Sequence, residues 1–154
     1  MLINQKGLVF MAKRNRNDRD IVTDKCWQMP QGGIDSGETP RDAVYREMQE
    51  EIGTVNVTML AESQNWYNYD FPQEVLKKNN MKFKGQTQKW FLFLYLGTDA
   101  DFDFTTSDEQ EFNDFAWTPP DMITEKVVDF KADVYRKVLA EFRPLIEEYV
   151  GSKK

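Results

Sequence analysis

Seven apolar residues in unbroken succession, Trp90-Phe91-Leu92-Phe93-Leu94-Tyr95-Leu96, are the strongest constraint on what this chain folds into. Side chains alternate across a strand, so a run with no polar residue on either face needs cover on both sides. The run falls short of the ~20 residues of a membrane span, so the cover has to come from the protein itself. Residues 90–96 are therefore predicted as a central strand buried on both faces. Shorter stretches read as further strands: 2–4 and 8–12, joined through Gln5-Lys6-Gly7 with Gly7 in the turn; 27–30, running into the glycine-rich turn Gln31-Gly32-Gly33; 55–61; 64–69; and 116–118 before Pro119-Pro120. Strands interleaved with a few helices imply an α/β fold in which a mixed sheet is sandwiched between helices.

The clearest helix starts at Thr39 as N-cap, with Pro40 at the first helical position and Asp42 completing a capping-box-like pair. Val44, Met48 and Ile52 form its buried stripe, and Gly53 ends it. A short helix is predicted over 72–80. A last one is predicted over 130–149, with Val134, Val138, Phe142 and Ile146 near one face and a kink or break at Pro144. The polar stretch 13–25 reads as a loop. Its Asp18, Asp20 and Asp24 lack the glycine and closing glutamate of a calcium loop. The 154 residues suit one domain spanning 1–154, with a core well supplied by four Trp and eleven Phe.

Charge narrows the chemistry. The net charge is −6 and histidine is absent, so carboxylates would have to act as base and as metal ligands in any catalysis. An acidic chain is a poor general binder of nucleic acid, and no DNA or membrane partner is expected. Cys26 is the only cysteine, which excludes an internal disulfide and favours a reducing, cytoplasmic compartment.

Glu47, Glu50 and Glu51 stand at i, i+3 and i+4, on one helix face and off the apolar stripe. Two carboxylates ~5 Å apart at an effective dielectric near 20 repel by ~3 kcal/mol, which solvent tolerates and a cleft does not without cations. Alone, Glu-x-x-Glu-Glu reads as a solvated acidic face. The residues around it change that reading. Hard oxygen ligands without histidine favour Mg²⁺ or Mn²⁺ over zinc.

From Gly32 to Thr54 the chain reads GGIDSGETPRDAVYREMQEEIGT, which resembles the Nudix box. Gly32, Glu38, Arg46, Glu47, Glu50, Glu51 and Gly53 fill its fixed positions, a match expected by chance roughly once in 10⁸ windows at ordinary residue frequencies. Thr54 departs from the aliphatic residue usual at the last position. The flanks, Trp27-Gln28-Met29-Pro30-Gln31, Tyr69 before Phe71-Pro72, Gly85-Gln86-Thr87-Gln88-Lys89-Trp90-Phe91, Glu111-Phe112, Val127 to Lys131 and Val134-Tyr135, are similar to the branch of RNA pyrophosphohydrolases and asymmetrical diadenosine tetraphosphate hydrolases.

The resemblance implies a Nudix-type α/β/α sandwich that cuts phosphoanhydride bonds with Mg²⁺ or Mn²⁺. The substrate would be the 5′-triphosphate end of RNA, with diadenosine tetraphosphate as the alternative. A catalytically silent nucleotide- or protein-binding Nudix module typically lacks a box glutamate, and here all are intact. The Gly32 carbonyl, Glu47, Glu50, Glu51 and Glu111 would form the metal shell. Glu47 would deprotonate the attacking water, with Glu51 or Glu111 as alternatives, and Glu38 and Arg46 would form an ion pair tying loop to helix. Arg14, Tyr69, Gln88, Lys89 and Lys131 would contact phosphates, and Val128 and Phe130 would grip a base. Relatives usually begin with a strand reading Tyr-Arg-x-x-Val-Gly ahead of the segment matching 2–4. Without it, a sheet edge and a phosphate-contacting arginine are expected to be lost. The loop 14–26 is longer than in many relatives, with Arg16 and Arg19 within it.

Overall fold

The computed structural model describes residues 1–15, 26–79 and 83–151. Its elements run β1 (Leu2–Ile3), β2 (Val9–Arg14), β3 (Trp27–Gln28), α1 (Pro40–Ile52), β4 (Val57–Glu62), β5 (Tyr67–Asp70), α2 (Gln73–Asn79), β6 (Gly85–Gln88), β7 (Phe91–Tyr95), β8 (Phe112–Thr118) and α3 (Asp129–Gly151). The acidic triplet Asp18, Asp20 and Asp24, with Arg16 and Arg19, lies outside the described residues.

The core of the run expected as a central strand is β7, buried at all five of its positions, while Leu96 at the end of the run falls outside the strand and is exposed. β7 pairs in parallel with β1 and antiparallel with β4, while β2 pairs antiparallel with β1, β3 and β8. The sheet is thus mixed. β7's alternation decides the layers. Leu92 and Leu94 join Val134, Tyr135, Val138 and Phe142 of α3, while Phe91, Phe93 and Tyr95 join Met48 and Ile52 of α1. β2 divides the same way, Val9 and Met11 toward α3 and Phe10 and Ala12 toward α1. An α/β/α sandwich results.

Several boundaries differ from the sequence reading, for local reasons. The hairpin after β1 does turn at Gly7, whose φ of 78° suits glycine. The positive-φ glycine ahead of α1, however, is Gly37 (φ 80°), not Gly32 or Gly33. β6, wholly polar, had no apolar signal to reveal it, yet it pairs with β5 from Tyr67↔Gln88 to Asp70↔Gly85. β8 begins at Phe112 rather than at residue 116, because it follows β2 along its length. β2 itself extends through Lys13 and Arg14, where the polar sequence reads as loop.

The expected break at Pro144 does not occur, and α3 runs through it. Proline removes one backbone bond there, but Phe142 before it and Ile146 after it are both buried in the same core and hold the two halves in line.

Leu92 is fully buried at the contact of β7 with α3. Leu92→Ala is expected to lower the unfolding free energy by about 2–5 kcal/mol through lost contacts and a residual cavity. Denaturant titration checks this, with an unchanged m-value expected.

Candidate active site

The site is assembled at the two ends of α1. At its start, Thr39 Oγ1 accepts a hydrogen bond from the Asp42 N–H at 3.1 Å, and Pro40 opens the helix. At its end, Gly53 takes φ 77° as the left-handed cap. The segment leading to β8 is fastened to this end: Asp103 N–H donates to Ile52 O at 2.9 Å, and Thr106 Oγ1 donates to the carbonyls of Gln49 and Glu50 at 2.9 and 2.8 Å. That fastening brings Glu111, distant in sequence, to the helix. The loop before α1 is held from the opposite layer, where Met29 N–H donates to Tyr135 Oη at 2.8 Å.

Arg46 organises the acidic face. Its Nε and Nη2 donate to the two Glu38 oxygens, each at 2.8 Å, in a bidentate fork. Nη2 also reaches Gly33 O at 2.8 Å, and Nη1 reaches Glu47 Oε1 at 2.8 Å and Glu50 Oε2 at 3.3 Å. The Glu38–Arg46 pair that the resemblance implied is therefore formed and binds loop to helix. The guanidinium beside Glu38 holds its carboxyl down to about 2.

Glu51 is the opposite case. It is 7% exposed, and its Oε2 is buried without a hydrogen-bond partner among the described residues. Burial first, then the nearby Glu47 and Glu111 carboxylates, push its carboxyl up to about 9, against the pull of the Gln31 backbone N–H. Burial likewise raises Glu47, opposed by Arg46. Gly32 makes room for Glu47: a Cβ there would lie 2.0 Å from Glu47 Cδ.

These groups line a cleft of about 1290 Å³. Gly32, Glu47, Glu51, Glu111, Arg14, Tyr69, Gln88, Lys89, Val128, Phe130 and Lys131 all border it. Glu50 stands apart, half-exposed and turned to Arg46. Lys131 is buried, with Nζ donating to Gln28 Oε1 at 3.2 Å, and Lys89 Nζ lies 5.7 Å from the Trp66 ring. Phe130 is half-buried in a triangle of rings with Tyr69 (5.5 Å) and Phe71 (5.8 Å). Sequence reasoning gave no role to Phe71, Gln31 or Gln86, although the Gly-Gln-Thr-Gln spacing puts Gln86 and Gln88 on one strand face.

The donor set bears on metal binding. Among the described residues no three acidic side chains converge on one point in this arrangement, since Glu47 and Glu50 are drawn to Arg46. Yet an orphaned buried carboxylate oxygen with two further carboxylates nearby, one of them seated where Gly32 has no Cβ, is an all-oxygen set fitting a hard divalent cation.

Between the unfolded carboxyl's pKa (roughly 4) and about 9, the folded protein binds one more proton at Glu51 than the unfolded chain does, so stability falls as pH rises across that window. In chelator, Glu51→Gln is expected to raise the unfolding free energy at pH 8 by about 1–3 kcal/mol, a gain that fades below about pH 4. Thermal unfolding at both pH values measures it, and equal gains at both would rule out ionisation as the cause.

A family model described as the NUDIX domain matches residues 1–142. The RNA pyrophosphohydrolase of Rhodospirillum rubrum is 44% identical over 142 residues, covering 92% of this chain and 82% of the relative. That of Gluconobacter oxydans is 40% identical over 147 residues, covering 95% and 84%. Among solved structures, the E. coli dihydroneopterin triphosphate pyrophosphohydrolase shares the fold with a TM-score of 0.64 at 19% identity, covering 99% of this chain and 93% of that one. With the family model matched over 142 residues and the acidic helix standing where the box requires it, the chain belongs to the Nudix family.

Proposed function

We propose that this protein is an RNA pyrophosphohydrolase that removes pyrophosphate from the 5′-triphosphate end of RNA, using Mg²⁺ or Mn²⁺. The observation that carries the reading is one cleft bordered by the buried Glu51 carboxylate, whose Oε2 has no hydrogen-bond partner among the described residues, and by the Tyr69–Phe71–Phe130 rings, so that a polyphosphate and a base fit side by side. The relatives named RNA pyrophosphohydrolase, at 44% and 40% identity over most of the chain, support the RNA substrate.

Glu47, Glu51 and Glu111, with the Gly32 carbonyl and Glu50, are the groups that would hold the cation. When bound, such an ion supplies Lewis acidity and neutralises charge on the phosphate oxygens. The chain's own residues do the rest. Glu47 is the candidate base: Arg46 holds its Oε1, its Oε2 lies against Gly32, and the residue borders the cleft. Arg46, locked to Glu38, keeps helix and loop at a fixed separation. Arg14, Lys89 and Lys131 bring positive charge to the cleft wall for phosphate, and Phe130 with Val128 offers a surface on which a base stacks, worth ~1–3 kcal/mol per base. The single cysteine, Cys26, suits a reducing cytoplasm as the place of action.

Triphosphorylated RNA and diadenosine tetraphosphate, offered side by side with Mg²⁺, test the assignment. Faster turnover of the RNA is expected, and faster turnover of the dinucleotide would reverse it. Glu47→Gln is expected to lower kcat by about 10²–10⁴ with little change in KM. Phe130→Ala is expected to raise KM by about 5- to 100-fold, as loss of one stacking contact implies. A large drop in thermal stability at unchanged KM would instead make Phe130 a core residue.

A further inference from the structure

We propose that Glu141 is a positioning residue for the base-binding rings: from α3, away from the cleft, its carboxylate pins the root of the β5–β6 ribbon and so sets where Tyr69 and Phe71 stand against Phe130. The proposal rests on the base-stacking part of the reading above and adds to it a residue that touches no substrate.

The topology creates the need. β5 and β6 pair with each other and with no strand of the main sheet. The main ladder ends where the chain enters and leaves the ribbon. Glu62 stands opposite Phe91, and one step further Ser63 N–H donates to Trp90 O at 2.7 Å while Trp90 N–H donates to Ser63 Oγ at 3.0 Å. Past that point lies a two-stranded ribbon, a unit marginal by itself in water. Among the described residues, its direction is then fixed by side-chain contacts. Tyr69 and Phe71 nevertheless form a triangle with Phe130, which belongs to α3 and not to the ribbon. A ribbon free to swing would open that triangle.

Glu141 supplies the tie with both of its oxygens. Oε1 accepts from Tyr67 Oη at 2.5 Å, and Oε2 accepts from Gln64 N–H at 2.9 Å. Gln64 and Tyr67 bracket the turn into β5, so one carboxylate fixes turn and strand together. Tyr67 shares its strand face with Tyr69, and both pack on the core that α3 helps to build. Burial first, then the bond to Glu141, raise the pKa of the Tyr67 hydroxyl, which keeps it a donor at neutral pH. Phe130 and Glu141 lie eleven residues apart on one continuous helix, ~16 Å along its axis. α3 therefore holds the ribbon at two stations whose separation the helix itself fixes. The hydroxyl–carboxylate bond is charge-assisted and so among the stronger ties available. On the cleft side, by contrast, Gln31 meets Gln86 and Gln88 through neutral amides at 3.1 and 3.2 Å.

Three substitutions test this. Tyr67→Phe removes the hydroxyl and leaves the ring, Glu141→Ala removes both ties, and Glu141→Gln leaves one acceptor oxygen for two donors. In hydrogen–deuterium exchange, Tyr67→Phe and Glu141→Ala are expected to speed exchange over residues 64–70 and 84–88 by about tenfold, as loss of a bond to a charged group implies. α1 and β7 are expected to keep wild-type protection. With triphosphorylated RNA and Mg²⁺, both variants are expected to raise KM by roughly 3- to 30-fold, with kcat within about twofold. Glu141→Gln is expected to match Tyr67→Phe alone and to add nothing in a Tyr67→Phe background, where its single oxygen serves Gln64. Faster exchange throughout the protein would make Glu141 a general stabiliser and overturn the proposal. Unchanged exchange in the ribbon, an unchanged KM, or additive effects in the double variant overturn it as well. Failure of the RNA reading shows separately, in the wild type; the exchange result does not depend on it, and the KM comparison then runs with diadenosine tetraphosphate.

Discussion

The guanidinium of Arg46 reaches four carboxylates, and the site depends on where that reach stops. Glu38 takes two of its nitrogens, Glu47 and Glu50 share a third, and Asp35 lies 3.5 Å away. Glu51, one residue past Glu50 and turned inward, receives none of this charge. One positive group amid so many negative ones leaves an excess that burial makes costly, since carboxylates at close range and low dielectric repel by several kcal/mol. Without a further cation, the fold accommodates Glu51 by keeping it protonated. Under the proposed function, the same imbalance is what a divalent ion would relieve, and an ion there would let an acidic chain receive a polyphosphate.

The sandwich brings this about by dividing the labour between its layers. α1 supplies the carboxylates and α3 supplies Phe130, Lys131 and the Tyr135 hydroxyl that holds Met29 at the base of the Gly32 loop. β7 lies between them, its alternate side chains buried against each helix, so the distance between the acidic and aromatic parts of the cleft is set by core packing. Ties to the C-terminal end of α1, from Asp103 and Thr106, hold the segment that brings Glu111 beside the helix carboxylates.

Much of this was legible in the sequence where one physical rule dominated. Thr39, Pro40 and Gly53 marked the helix because capping chemistry is local, and the 90–96 run marked the central strand because so long an apolar stretch needs cover on both faces, though its last residue, Leu96, ends exposed beyond the strand. The Glu38–Arg46 pair came from the family resemblance rather than from any local rule. What escaped had no local signature. β6 is polar throughout and is a strand only because β5 lies beside it. Pro144 broke the helix on paper, but the packing of Phe142 and Ile146 overrides a single lost backbone bond. Glu47, Glu50 and Glu51 share a helix face, yet they range from half-exposed Glu50 to buried Glu51, a gradient set by neighbours distant in sequence.

The central claim is that the uncompensated carboxylate of Glu51 is a cation ligand. Diffraction from crystals soaked in Mn²⁺, recorded at the manganese absorption edge, tests it most directly. The account predicts an anomalous peak within about 2.0–2.3 Å of a Glu51 oxygen, with the Gly32 carbonyl or Glu47 as a second ligand. Manganese bound only at exposed carboxylates, with Glu51 Oε2 still buried and unpartnered, would contradict it.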